Sequence, residues 1–277
     1  MSSYKIAIPL LLFLSAKVLA ADPTRDVRQA SGSGSAYAEI GFGLTTVSVP
    51  LVGFNGTTIE ESDDPIHAID LSLEGRAQYK GLFAEIVQDS FSNITIGYSV
   101  FDNEKGSLEL IATNQFGDVD YSDIDNLESI EDRPGDISLG VRTSYLFDDR
   151  LLQFELVSDV LDSHNGYVGA VHVGQQKQVL NWNFYGLAGI RYFSENVIDH
   201  FFGVSAAEAT AEIPQYQAAD GVMPSIQLGA IVPLSEKWTV DLQVEYAKFP
   251  DSVSDSPLAQ GEDMYIGRIG VNYILFN

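Results

Sequence analysis

The sequence predicts an all-β fold, a transmembrane antiparallel up-and-down β-barrel of about twelve strands, and three observations carry that expectation. The first is the N-terminus, where Lys5 precedes the apolar run Ile6 to Leu14 and Val18-Leu19-Ala20 precedes Ala21-Asp22-Pro23. That is the pattern of an export signal with a small-residue cleavage site. The second is a two-residue alternation of apolar and polar side chains recurring from Tyr37 to Phe276, with no apolar run long enough to cross a bilayer as a helix. The third is the lengths of the connections, which alternate between short and long as barrels require. The division expected is a signal at 1–20, a flexible Gly- and Ser-rich periplasmic leader at 21–35 and one barrel at 36–277.

The strands follow from the alternation. Residues Ile69, Leu71, Leu73, Ala77 and Tyr79 oppose Asp70, Ser72, Glu74, Arg76 and Gln78. Ile94, Ile96, Tyr98 and Val100 oppose Thr95, Gly97 and Ser99, and Ile137, Leu139, Val141, Tyr145 and Phe147 oppose Ser138, Gly140, Arg142 and Ser144. The pattern returns with Leu152, Phe154 and Leu156 against Gln153 and Glu155, and with Trp182, Phe184 and Ile190 against Asn183 and Arg191. It returns again with Trp238 to Tyr246 against Thr239, Asp241, Gln243 and Glu245, and closes with Tyr265 to Leu275 against Arg268 and Asn272. Weaker segments at 36–48, 82–87, 107–116, 166–176 and 225–234 complete the set. The apolar face is expected to meet lipid and the polar face the lumen.

With both chain ends in the periplasm, the periplasmic turns are Tyr79-Lys80-Gly81, Asp102 to Gly106, Asp148-Asp149-Arg150, Lys177-Gln178-Val179 and Ser235-Glu236-Lys237. The long connections Leu51–Pro65, Gly117–Asp136, Ser194–Pro224 and Pro250–Asp263 then all fall outside the cell. These four carry 21 acidic residues against Arg133 alone, a net −20 of the chain's −24. The outer rim is therefore acidic. The lumen has mixed signs, with Glu74, Arg76, Arg142, Glu155, Arg191, Asp241, Glu245 and Arg268, which in a narrow barrel form cross-lumen ion pairs.

Composition excludes several classes. A pI near 4.2 argues against nucleic acid. The absence of Cys rules out a disulfide framework, thiol chemistry and a lipid anchor after the signal. Fifteen Phe, thirteen Tyr and two Trp supply interfacial aromatics, so the expected partners include outer-membrane lipid and lipopolysaccharide. No catalytic, metal or cofactor site is expected. The run from Asp118 to Glu128 suggests calcium, but Asp123 stands where the binding loop needs Gly and Ser129 where it needs the bidentate Glu. His172 reads as a structural lumen residue, His67 and His164 sit at loop edges, and Asp199-His200 would need a nucleophile that the sequence does not place.

The phrase Phe201-Phe202-Gly203-Val204-Ser205 with Glu208-Ala209, then Tyr216-Gln217-Ala218 ending in Gly221, then Trp238 and Asp255-Ser256-Pro257-Leu258, resembles the MipA/OmpV family of outer-membrane proteins. The resemblance implies a non-enzymatic barrel of the Gram-negative outer membrane. One branch of that family is associated with a scaffold for peptidoglycan-processing enzymes, another with surface adhesion. A passive channel for small solutes stands as the alternative. Phe201, Phe202, Val204, Ala206 and Ala207 would be a sticky patch in water, so Phe201 to Ser205 are expected to turn inward as a lumen cap.

Overall fold

The computed structural model describes residues 36–49, 65–86, 94–103, 105–115, 117–119, 121 and 127–276. The expected signal and leader, the acidic loop at 51–64 and most of the acidic run at 120–126 lie outside the described residues. Twelve strands form a closed antiparallel barrel: β1 Ala36–Ser48, β2 Ile66–Tyr79, β3 Leu82–Ile86, β4 Ile94–Asn103, β5 Gly106–Thr113, β6 Ser138–Phe147, β7 Arg150–Asp159, β8 Tyr167–Val179, β9 Trp182–Phe193, β10 Gly221–Pro233, β11 Trp238–Lys248 and β12 Asp263–Phe276. Each strand pairs with its sequence neighbours, and β1 closes on β12 from Ala38↔Phe276 to Ser48↔Tyr265. Among the described residues every strand has a hydrogen-bonded neighbour on each side, with β3 covering Gly75–Tyr79 of β2. Helix α1 (Glu195–Phe202) and the single turn α2 (Asp251–Ser254) lie between strands.

The alternation sorts side chains as the period of a strand dictates. Along β2, Ile69 is 64 % exposed and Leu71 73 %, while Ser72, Glu74 and Arg76 are buried inside. A bulge between Ser99 and Phe101 in β4 breaks the rule locally, so Val100 and Phe101 both face outward. Outward aromatics collect near the two strand ends. At the short-turn end stand Tyr79, Phe147, Trp182, Phe184 and Trp238; at the long-loop end Tyr167 pairs with Tyr192 at 5.8 Å and Tyr246 with Tyr265 at 5.1 Å.

Several boundaries differ from the sequence reading: β4 runs on to Asn103 and β5 covers Gly106–Thr113, inside the turn expected at Asp102 to Gly106 and short of the expected 116, and two further differences have a clear cause. The turn expected at Lys177-Gln178-Val179 is strand: β8 continues to Val179 and the chain reverses at Leu180-Asn181, with Leu180 at φ 56°. Polar Gln175 and Lys177 sit on the outward face there, beyond the apolar band, where a polar side chain costs nothing. Strand β10 begins at Gly221, ahead of Pro224, because Met223 pairs with Arg191 and is 1 % exposed in the barrel mouth.

Candidate functional site

The interior of the barrel carries buried, paired charges. Arg76 of β2, Glu85 of β3, Glu109 of β5 and Arg142 of β6 form a closed lattice of alternating sign. Arg76 donates to Glu85 Oε2 at 3.0 Å and to Glu109 Oε1 at 2.6 Å; Arg142 donates through Nε to Glu109 Oε2 at 2.8 Å and through Nη2 to Glu85 Oε2 at 3.3 Å. All four are at most 7 % exposed. The ring of Phe83 supports the lattice, with Arg76 Cζ 4.0 Å from its centroid. Gly97 makes room for that ring, since a Cβ there would lie 2.7 Å from Phe83 Cε1.

A second group gathers round Arg268, which donates to Asp70 Oδ2 at 3.2 Å, Asp241 Oδ1 at 3.4 Å and Ser72 Oγ at 3.0 Å. A third runs from Arg191 Nη1 to Gln115 Oε1 at 2.8 Å and from Gln115 Nε2 to Glu155 Oε1 at 3.4 Å. Glu74 and Glu245 are likewise buried and inward. Glu85, Glu109 and Gln115 were not among the interior residues singled out from sequence. The parity of Phe83 and Glu85 in β3, and of Glu109 and Ile111 in β5, is the signal that would have found the first two.

Above the lattice three connections converge on α1. Its residues Val197, Ile198, Phe201 and Phe202 are buried at 1 to 5 % exposure against the inner wall, where Val157, Val168, Phe193 and Met223 belong to the same apolar cluster. A helix leaves its last carbonyls without intrahelical donors. Here three neighbouring carbonyls receive donors from other connections: Phe201 O from the Tyr121 hydroxyl at 3.1 Å, Phe202 O from Ser256 Oγ at 2.6 Å, and Gly203 O from Arg133 Nη2 at 3.3 Å. A second cluster of Tyr121, Leu127, Ile130, Val204, Ile213 and Leu258 packs the same connections together. Val204 and Tyr216 exchange backbone hydrogen bonds, and the Tyr216 hydroxyl donates to Ser252 O at 2.9 Å.

Glu208 is the polar centre of this assembly. It accepts the Glu131 amide at 3.0 Å, the Ser205 amide at 2.8 Å and Arg133 Nη2 at 2.7 Å. Burial opposes its ionisation, but those hydrogen bonds and Arg133 outweigh it and hold its carboxyl down at about 2. Burial pushes the Tyr121 hydroxyl well above its ordinary value. The phrases Phe201 to Val204, Tyr216 to Ala218 and Ser256 to Leu258 therefore meet in one place, whereas Trp238 is remote, outward at the short-turn end and edge-on to Tyr273 at 4.9 Å. Phe201, Phe202, Gly203 and Val204 are buried; Ser205, Ala206 and Ala207 are exposed, because the chain leaves the mouth once the Val204 bridge is made.

The histidines are tied into structure. His164 Nδ1 accepts the Gly166 amide at 2.9 Å, with Nε2 3.4 Å from Asp136. His200 Nε2 lies 3.1 Å from Pro134 O, while Asp199 Oδ1 accepts the Ala218 amide at 2.8 Å, so the two neighbours serve different partners. Burial lowers the affinity of His200 for a proton. His172 lies buried in the wall, and His67 meets Thr46 Oγ1 at 3.0 Å.

A closed antiparallel barrel with an apolar outer face between two groups of aromatics and a charged interior defines the class: this is a bacterial outer-membrane β-barrel protein. Within that class the chain belongs to the MipA/OmpV family, since the family model described as "MltA-interacting protein MipA" matches residues 51–275. The protein YiaT of Escherichia coli K12 is 23 % identical over 248 residues, covering 87 % of this chain and 89 % of its own. Outer membrane protein OmpV of Vibrio cholerae is 20 % identical, covering 56 % and 60 % respectively. The MltA-interacting protein of Escherichia coli K12 is 24 % identical, covering 53 % and 60 %.

Proposed function

We propose that this protein is a non-catalytic, plugged barrel that serves as an envelope scaffold, offering fixed surfaces to peptidoglycan-processing enzymes rather than conducting solutes. The observation that supports the reading is the buried ion-pair lattice of Arg76, Glu85, Glu109 and Arg142, which spans strands β2 to β6, together with the burial of Phe201 and Phe202 of α1, which on this reading cap the lumen. Opening a pore would separate buried charges that lose their partners, at roughly 3–5 kcal/mol for each broken pair. One relative is named for interaction with MltA, which supports the partner class. A barrel that neither conducts nor reacts acts through what it touches.

Purified protein in planar bilayers is expected to show no discrete conductance steps. In cross-linked envelopes it is expected to capture a peptidoglycan-processing enzyme. Regular conductance steps that disappear on unfolding would establish the channel instead. Capture confined to extracellular proteins or host surfaces would replace the scaffold with an adhesin.

A further inference from the structure

The exposed bases of the barrel are distributed unevenly. At the short-turn end every connection carries one beside or within it: Lys80, Lys105, Arg150, Lys177 and Lys237, all exposed. At the long-loop end Arg133 is consumed by Glu208, and Lys248 pairs with Glu262 at 2.9 Å. Four of these bases, Lys80, Arg150, Lys177 and Lys237, stand beside outward aromatics. Lys80 Nζ lies 5.2 Å from the centroid of Tyr79, and Lys237 Nζ 5.6 Å from that of Tyr273, whose ring packs on Trp238. Lys177 pairs across the strands with Phe184, which stacks on Trp182 at 5.7 Å, and Arg150 pairs with Phe147. Among the described residues the acids at this end are Asp102, Asp148, Asp149 and Glu236; Lys80 and Lys105 stand within turns as well, and Asp149, which accepts Gln175 Nε2 at 2.9 Å, also feels the charges of Arg150 and Lys177.

We propose that these bases and their aromatic neighbours form an annular binding surface for the phosphates of anionic phospholipids in the periplasmic leaflet. Outward aromatics settle at the headgroup level of a bilayer, and Lys and Arg lay their apolar stems along such surfaces while the charged ends reach the interface. Holding Nζ over a lipid-facing ring therefore places the ammonium at the depth of the phosphodiester. Peptidoglycan carboxylates or a periplasmic protein would also attract cations, but Arg150 and Lys177 lie on strands, level with outward Phe147 and Phe184 and on the lipid side of the turn residues. The opposite rim has no free base for a phosphate among the described residues, so the surface distinguishes the two leaflets. This inference does not depend on the scaffold reading.

The chain's two tryptophans, Trp182 and Trp238, flank Lys177 and Lys237, so their fluorescence reads the lipid at the proposed surface. The folded protein is reconstituted in phosphatidylethanolamine vesicles containing phosphatidylglycerol, with either lipid brominated in turn as quencher. Brominated phosphatidylglycerol is expected to quench out of proportion to its mole fraction, by about fivefold for each base within reach, and the excess should fall with added salt. The triple change Arg150→Gln, Lys177→Gln and Lys237→Gln should bring the ratio to one, and Lys248→Gln should leave it unchanged. Heat-shifted gel mobility checks that each variant is folded. Equal quenching by both lipids in the parent protein, or an unchanged ratio in the folded triple variant, would overturn the proposal. Loss of binding to isolated sacculi with the lipid ratio intact would assign the bases to peptidoglycan and overturn it equally.

Discussion

Acidification should loosen the assembly over the barrel mouth before it affects the wall, through Glu208. Its carboxyl is held at about 2 in the folded protein against 4.5 ordinarily. A depressed folded value contributes stability that is complete above 4.5 and is lost as pH falls towards 2. The full contribution is roughly 3 kcal/mol, and about 2 kcal/mol of it disappears between pH 6 and pH 3, a factor of about 30 in the opening equilibrium. Hydrogen exchange of the Ser205 and Glu131 amides, both donors to this carboxylate, reads that opening once rates are corrected for the intrinsic pH dependence. Glu208→Gln should lower protection already at pH 6, because Arg133 loses its counter-charge, and should flatten the response below it. Protection equal at pH 6 and pH 3 in the parent protein, or a slope in the variant as steep as in the parent, would refute the assignment.

Two further outcomes test the wall and its contents. Leu228→Arg, on the outward face in the middle of β10, should cost roughly 2–4 kcal/mol in urea unfolding from lipid vesicles. Gln227→Arg, inward and opposite Glu245, should cost far less, and equal costs would reverse the facing of the strand. Glu109→Gln removes the carboxylate shared by Arg76 and Arg142 and should cost roughly 3–5 kcal/mol by the same measurement. A loss below about 1 kcal/mol would mean that water screens the lattice as it does a surface pair.

The wall was legible because a strand has a period of two and a barrel gives the two faces opposite solvents. Ile69, Leu71 and Leu73 could only be outward once Glu74 and Arg76 were inward. Sequence parity cannot supply register, and the lattice is a matter of register: Arg76 and Glu109 are 33 residues apart, and Glu85 and Arg142 are 57 apart. The turn after β8 was misplaced because Lys177 and Gln178 look like turn residues, although a polar side chain beyond the apolar band is compatible with strand. The mouth was legible as a set of phrases but not as a contact, since Ser256 reaches Phe202 only when the barrel brings the β9–β10 and β11–β12 connections together. Val197, Ile198, Phe201 and Phe202 recur with helical spacing, a signal for α1 that starts well before the phrase itself.

If the protein is a scaffold, the asymmetry of its two ends restricts where a periplasmic enzyme can bind. A stable interface buries about 800 Å² on each partner and involves some 20–30 residues a side. Among the described residues the short-turn end offers tight reversals such as Lys80-Gly81, Asp148-Asp149 and Leu180-Asn181, no one of which approaches that area. A partner must therefore bridge several turns at once or engage chain ahead of β1 as well. The strand-borne bases Arg150 and Lys177 are engaged with lipid phosphate on the reading above, and the turn residues towards the periplasm include Asp148, Asp149, Glu236, Lys80, Lys105 and the 88 %-exposed Leu180. That surface suits a partner of mixed charge with an apolar contact for Leu180. Because the barrel is closed, its turns keep fixed spacing, and a partner that bridges them recognises the geometry of the whole ring rather than one peptide.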